Sequence, residues 1–191
     1  MNICLDTETT GLNPSFDEIL QLSIINSDTD EVLFYDYFKP QYTVCWEEAQ
    51  AVNGISYEDV SDCEPITQSL DKIQSIIAGA NKIYGYNVAF DVAFLIQAGI
   101  EVNAELVDVM KEFAEQYGEW NSARGEWKWQ KLTRAAAYYH LDFDGTAHDS
   151  LADAKMTMAV YRKMHGKELI RRTTPQDDYL SELSDDISDL L

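Results

Sequence analysis

Residues Asn2–Leu12 read NICLDTETTGL. A short apolar run leads into two carboxylates, Asp6 and Glu8, with one threonine between them. On an extended chain, residues two apart share a face. A strand that continues to position 8 therefore carries both acids on one side, and Gly11 and Pro14 mark its exit. Two hard oxygen donors on a rigid strand end suit Mg²⁺ or Mn²⁺. A solvated turn with two neighbouring acids is the competing explanation for the pair alone.

Two further stretches change that balance. YGYNVAFDVAFL places Asp91 at an otherwise apolar helix start, with Asn87 as its expected N-cap. An acid there is costly if buried alone, or complements the helix dipole if exposed. GTAHDSLADA holds His148, Asp149 and Asp153. Asp149 reads as a helix cap. Asp153, in the first turn, points back towards the loop that carries His148. An imidazole and a carboxylate then share one neighbourhood, and an ordinary histidine, neutral above about pH 6.5, can accept a proton there.

The surrounding elements must hold these groups. Asn2–Asp6, Ile19–Asn26 and Val32–Phe38 read as strands, joined by turn residues into an antiparallel meander. Glu47–Gly54 reads as a short helix with a glycine C-cap. ITQSLDKIQSIIAGA repeats apolar residues at helical spacing. After it come a strand in KIYGYN, a helix stopped by Gly99, a strand beginning at ELVDVM, and helices in WQKLTRAAAYYHL and DSLADAKMTMAVYRKMHG. Strands first, then strands alternating with helices, predict an α/β fold with a mixed sheet flanked by helices.

The composition suits one globular domain: 191 residues, 46% hydrophobic and 12% aromatic. The three cysteines, Cys4, Cys45 and Cys63, show neither metal spacing nor a disulfide framework. No basic leader precedes an apolar stretch, and no apolar run approaches the roughly 18 residues of a membrane span. A reduced, cytoplasmic setting without membrane contact is the expectation. The net charge of −20 and pI near 4.2 oppose any polyanionic partner unless local groups offset them.

The ordered set LDTETTGL, YNVAFD and HDSLADA resembles the three motifs of the DnaQ-like 3′→5′ exonucleases, in the DEDDh branch that includes RNase T and proofreading subunits. The resemblance spans roughly residues 1 to 164, and the spacing of His148 and Asp153 matches the histidine branch rather than the tyrosine one. It implies a ribonuclease H-like fold and a DEDDh domain over residues 1–170, followed by an acidic tail over 171–191. It implies that Asp6, Glu8, Asp91 and Asp153 hold two Mg²⁺ or Mn²⁺ ions, with His148 as general base. The implied reaction cuts phosphodiester bonds at single-stranded 3′ ends of nucleic acid, with DNA expected ahead of RNA although the family acts on both, and releases nucleoside 5′-monophosphates.

The resemblance also implies substrate contacts at Thr9 and Leu12, although core packing would equally explain Leu12. VNGIS resembles a segment that usually carries histidine, here replaced by Asn53, which can hydrogen-bond but not carry charge. Asn87 and Lys131 are further expected contacts, and Asp108 is expected to support the site without being a ligand. SARGEWKWQKLTRAAAYYH interleaves Arg124, Lys128, Lys131 and Arg134 with Trp127 and Trp129, which suits phosphate contact with base stacking. Leu180, Leu183, Ile187 and Leu190 recur at helical spacing among acids in the tail. Residues 175–191 are then either a docking helix for a replication or repair protein or a frayed end. The alternative to an enzyme is a catalytically inactive binding module of the same fold that acts through this tail.

Overall fold

The structure, a computed structural model, describes residues 1–142 and 148–166. Strands β1 (Asn2–Thr9), β2 (Ile19–Asn26) and β3 (Val32–Tyr37) come first. Helices α1 (Glu47–Asn53) and α2 (Tyr57–Val60), a 3₁₀ turn (Ile66–Gln68) and α3 (Leu70–Ala78) follow. Then β4 (Lys82–Gly85), α4 (Val88–Gln97), β5 (Glu105–Asp108) and α5 (Val109–Tyr117) alternate. A small hairpin, β6 (Trp120–Asn121) and β7 (Glu126–Trp127), leads to α6 (Leu132–Tyr138) and α7 (Ser150–Met164).

The main sheet runs β3-β2-β1-β4-β5. Its first three strands pair antiparallel, as the turn residues between them predict. β4 and β5 join in parallel. The result is the expected mixed sheet with helices on both faces.

Strand alternation builds the two cores. Ile3, Leu5, Leu22, Ile24 and Ile83 face one side and pack with α3 and α4. Cys4, Ile25 and Tyr84 face the other and pack with α5, α6 and α7. Asp6 and Glu8 have the parity of Cys4, so they point towards α7, and Thr7 points towards α4. The position of each acid thus follows from where β1 places its apolar residues.

Several sequence expectations need adjustment. β1 continues past Asp6 to Thr9, so the strand does reach Glu8. β3 ends at Tyr37. ELVDVM divides at Asp108, whose side chain accepts the Lys111 N–H and caps α5. The helix in WQKLTRAAAYYHL begins only at Leu132, because Lys131 is extended. The structure adds the β6–β7 hairpin, α2 and α5 to the elements read from the sequence; a two-residue strand carries no periodicity to read. Asn87 stands at the N-terminus of α4 but makes no capping bond with its side chain. It adopts a left-handed backbone, φ 72°, which asparagine tolerates.

At its far end α7 is clamped to the β2–β3 turn. The nearly buried Arg162 guanidinium donates to both Asp30 carboxylate oxygens, at 3.0 and 2.7 Å, and to the Ser27 carbonyl at 2.6 Å. Cys4 is buried, Cys63 half-buried and Cys45 exposed, all as free thiols. Among the described residues no helix is long and apolar enough to cross a membrane. The acidic tail and the domain boundary at residue 170 lie outside the described residues.

Candidate active site

The chemistry-bearing residues converge at the carboxyl end of β1. Asp6 lies opposite Ser23 and Glu8 opposite Gln21 in the antiparallel pair. All four side chains share the α7 face, so the apolar strands finish in a polar stripe there. Pairing slips after Glu8, and Thr9 lies opposite Ile19. An irregularity of this kind redirects the chain next to a site.

Asp91 reaches the stripe from the other side of β1. It is 3% exposed on the first turn of α4. Its Oδ1 accepts the Thr7 backbone N–H at 3.0 Å and the Thr7 hydroxyl at 2.7 Å. The acid that looked out of place on an apolar helix is therefore held against β1 by two hydrogen bonds.

α7 supplies the remaining groups. Asp149 caps it, accepting the N–H groups of Leu151 and Ala152 at 3.1 and 3.0 Å, as the sequence predicts. His148 precedes the cap on an exposed, left-handed residue, φ 70°. Donor atoms of Glu8, His148 and Asp153 lie within 4.8 Å of one another.

Sequence reasoning missed what anchors this end of α7. Buried Gln21 accepts the Ser150 N–H at 2.9 Å and donates from Nε2 to Asp149 at 3.2 Å. Tyr35 donates its hydroxyl to the same carboxylate oxygen at 3.3 Å. Ser23 and Ser150 share a buried hydroxyl hydrogen bond. The available signal was two polar residues, Gln21 and Ser23, alternating inside the apolar strand ILQLSIIN.

The electrostatics are those of acids crowded together. Burial, then Asp91 and Glu8, holds the Asp6 carboxyl well above its ordinary range. Glu8 is pushed up to about 8 by burial and by Asp153 and Asp91, with an Asn53 hydrogen bond acting against the rise. Burial raises Asp91 to about 7 against its Thr7 bonds. It raises Asp153 to about 6, opposed by His148. Asp153 also has a buried Oδ1 with no hydrogen-bond partner among the described residues. Four carboxyls that resist ionisation, one with an unmatched oxygen, fit hard divalent cations, which neutralise the repulsion and occupy free oxygens. Among the described residues, Glu8, His148 and Asp153 are the donors brought within 4.8 Å of one another; Asp6 and Asp91 are not in that group and meet these acids through their charges.

A cavity of about 910 Å³ opens beside Glu8, lined among others by Thr9, Leu12, Trp46, Asn53 and Phe90. Leu12 is 84% exposed, which removes core packing as its explanation. Thr9 is buried and donates its hydroxyl to the Gly11 carbonyl at 2.6 Å. A side chain at Gly11 would meet the Asp17 carboxylate at 2.5 Å, so only glycine lets Asp17 brace this loop. Asp17 accepts the Asn13 N–H at 2.9 Å. Asn53 donates to the Thr9 carbonyl at 3.1 Å and accepts from Ile55 N–H at 3.1 Å, tying the end of α1 to the end of β1. Asn87 is half-buried, and its backbone N–H donates to Asp108 at 3.3 Å. Lys131 does not line this cavity; it lines a separate groove with Trp129 and Arg134.

The RNase_T family model, described as Exonuclease, matches residues 3–161. The uncharacterized exonuclease CP81 of Escherichia phage 186 is 31% identical over 172 residues, which cover 83% of this chain and 84% of the phage protein. E. coli exonuclease I in complex with a dA16 oligonucleotide aligns with a TM-score of 0.69 at 19% identity, over 87% of this chain. The chain spans only 42% of that enzyme's length. Exonuclease X in complex with 5′ overhanging duplex DNA aligns with a TM-score of 0.65 at 19% identity, over 87% of this chain and 92% of that one. At such identities the solved structures establish the fold alone, which is ribonuclease H-like. With a matching family model over most of its length and a phage exonuclease as a relative, this chain belongs to the RNase_T exonuclease family, within the DnaQ-like superfamily.

Proposed function

We propose that the chain is a metal-dependent 3′→5′ exonuclease that removes nucleoside 5′-monophosphates from single-stranded nucleic-acid ends. The observation that carries this reading is the approach of Glu8, His148 and Asp153 donor atoms within 4.8 Å at the carboxyl end of β1. Asp6, Glu8, Asp91 and Asp153 would hold two Mg²⁺ or Mn²⁺ ions. Such a pair, when bound, stabilises the attacking and leaving oxygens of an in-line displacement at phosphorus.

The protein's own residues account for the rest. A ring nitrogen of His148 takes a proton from the attacking water as general base. The cap at Asp149 and the Gln21 bond to Ser150 restrict where that imidazole sits. Thr7 restrains Asp91, and Asn53 restrains the Thr9 backbone next to Glu8, so less of the site must be ordered during the reaction. Leu12 presents an apolar surface to the terminal base, and Thr9 shapes the loop beneath it. Asn53 and Asn87 flank the terminal nucleotide, and Lys131 meets a phosphate further along the strand. DNA is preferred over RNA; support comes from exonuclease I and exonuclease X, both solved with DNA.

The test is degradation of 5′-labelled single-stranded DNA and RNA in Mg²⁺ and Mn²⁺. Stepwise shortening from the 3′ end, faster on DNA and lost in both Asp6→Ala and His148→Ala, is the expected result. No shortening of either polymer by folded wild-type protein would overturn the reading in favour of an inactive binding module. Removing residues 175–191 leaves this chemistry intact and tests separately whether they hold a replication or repair protein.

A further inference from the structure

Residues 119–134 concentrate cations and tryptophans in a chain of net charge −20. The tertiary structure sorts them into two groups. Arg124 faces Glu126 at 3.9 Å, and Lys128 pairs with Glu119 at 2.7 Å. Trp120 and Trp127 meet edge to face with centroids 5.0 Å apart. These side chains hold the β6–β7 hairpin together.

The second group faces outward. Lys131 and Arg134 are exposed, and neither has an ion pair among the described residues. Trp129 beside them is 50% exposed. Trp129, Gln130, Lys131, Thr133, Arg134 and Ala137 line one groove of about 460 Å³, whose wall has no acid among the described residues, although Glu119 stands behind it and accepts from Gln130 Nε2 at 3.2 Å. The cavity beside Glu8, by contrast, carries Asp17, Glu47 and Glu48 as well. The groove is tied to the site's framework. Tyr86 donates its hydroxyl to the Gln130 carbonyl at 2.8 Å and stands five residues before Asp91. Leu132 packs in the core under α7 with Tyr86 and Val107.

We propose that this groove is a track for single-stranded nucleic acid upstream of the bond being cut. It rests on the exonuclease reading above for its substrate. A base stacks on Trp129, and Lys131 and Arg134 meet the flanking phosphates, with the Thr133 hydroxyl as a neutral donor, while the Gln130 amide is held by Glu119 and the Lys128 carbonyl. Stacking on an indole tolerates any base. Phosphate contact by two cations supplies attraction that the cavity beside Glu8, with Asp17, Glu47 and Glu48 in its wall, does not. The groove therefore favours strands long enough to reach it from the terminal-nucleotide cavity.

The experiment uses the full chain and compares dT3 with dT16, both 5′-labelled. Degradation is followed in Mg²⁺, and binding of dT16 by fluorescence anisotropy in Ca²⁺. The Trp129→Ala variant is expected to raise KM for dT16 about tenfold and KM for dT3 less than twofold. Replacing Lys131 and Arg134 together by glutamine is expected to lower the salt dependence of dT16 binding by about 1 in log–log slope. Equal losses on dT3 and dT16, or no loss on dT16 from either variant, would overturn the track. Wild-type chain that binds dT16 without shortening it, with binding weakened by Trp129→Ala, would sustain the track and remove the exonuclease reading. Shortening of dT16 that all variants perform equally would do the reverse.

Discussion

Gln21 on β2 accepts the Ser150 backbone N–H at 2.9 Å, joining residues 129 apart in sequence. The other end of the same amide donates to Asp149. Gln21 also lies opposite Glu8 in the β1–β2 ladder. One buried side chain thus fixes the distance between the strand that carries Asp6 and Glu8 and the helix start that carries His148 and Asp153. A Gln21→Leu variant is expected to lose about 10²-fold in kcat with KM within about twofold. The stranded Ser150 N–H should also cost about 1–3 kcal/mol of stability. Steady-state kinetics with thermal unfolding separates the two effects. Adding Gln21→Leu to His148→Ala should lower kcat little further; a full additional loss would show that Gln21 does not act through the histidine.

Asp153 combines a raised carboxyl with a buried oxygen that has no partner among the described residues. Asp153→Asn removes one charge from the cluster. It is expected to abolish nuclease activity and yet raise the unfolding midpoint of the metal-free protein. Relief of about 1 kcal/mol corresponds to roughly 2–4 °C for a chain of this size. Differential scanning calorimetry in EDTA checks the direction, and a lower midpoint than wild type would contradict the repulsion described above.

The same repulsion sets a pH dependence. Asp6, Glu8, Asp91 and Asp153 all have folded-state pKa values above those of the unfolded chain. The folded state therefore binds more protons between the two ranges, and stability falls as pH rises. With Asp153 at about 6, Asp91 at about 7 and Glu8 at about 8, the loss runs from about pH 4 to 8. In EDTA the unfolding midpoint should decline across that window. Excess Mg²⁺ or Mn²⁺ should flatten the decline, since a cation that binds only ionised carboxylates in the folded state stabilises it most at high pH. A midpoint that rises from pH 5 to 8 without metal would contradict the assignment.

Arg162 serves the opposite end of α7. Its guanidinium is 6% exposed and meets Asp30 and the Ser27 carbonyl. Arg162→Ala leaves Asp30 without its partner and should cost about 3 kcal/mol. Urea denaturation reads this directly. Since Arg162 touches no group of the site, kcat below the unfolding transition should stay near wild type.

Much of this protein is legible in its sequence, for local reasons. Two-residue alternation is enough to put Asp6 and Glu8 on one face, because a strand's geometry is set by its own backbone. Asp149 reads as a cap because an aspartate before SLADA satisfies the first N–H groups of the helix it begins. The apolar periods of α3 and α4 are visible for the same reason. What only the tertiary structure decided are relations between distant segments. The β1–β2 register set Gln21 opposite Glu8, and a shift of one residue would have turned that amide to the other core. Thr7 met Asp91, and Asn53 met Thr9, because helices packed on particular faces of the sheet. The cations between Arg124 and Arg134 look alike in sequence. Folding paired two of them with Glu119 and Glu126 and left Lys131 and Arg134 beside Trp129, since ion pairing depends on which side chains the hairpin brings within reach.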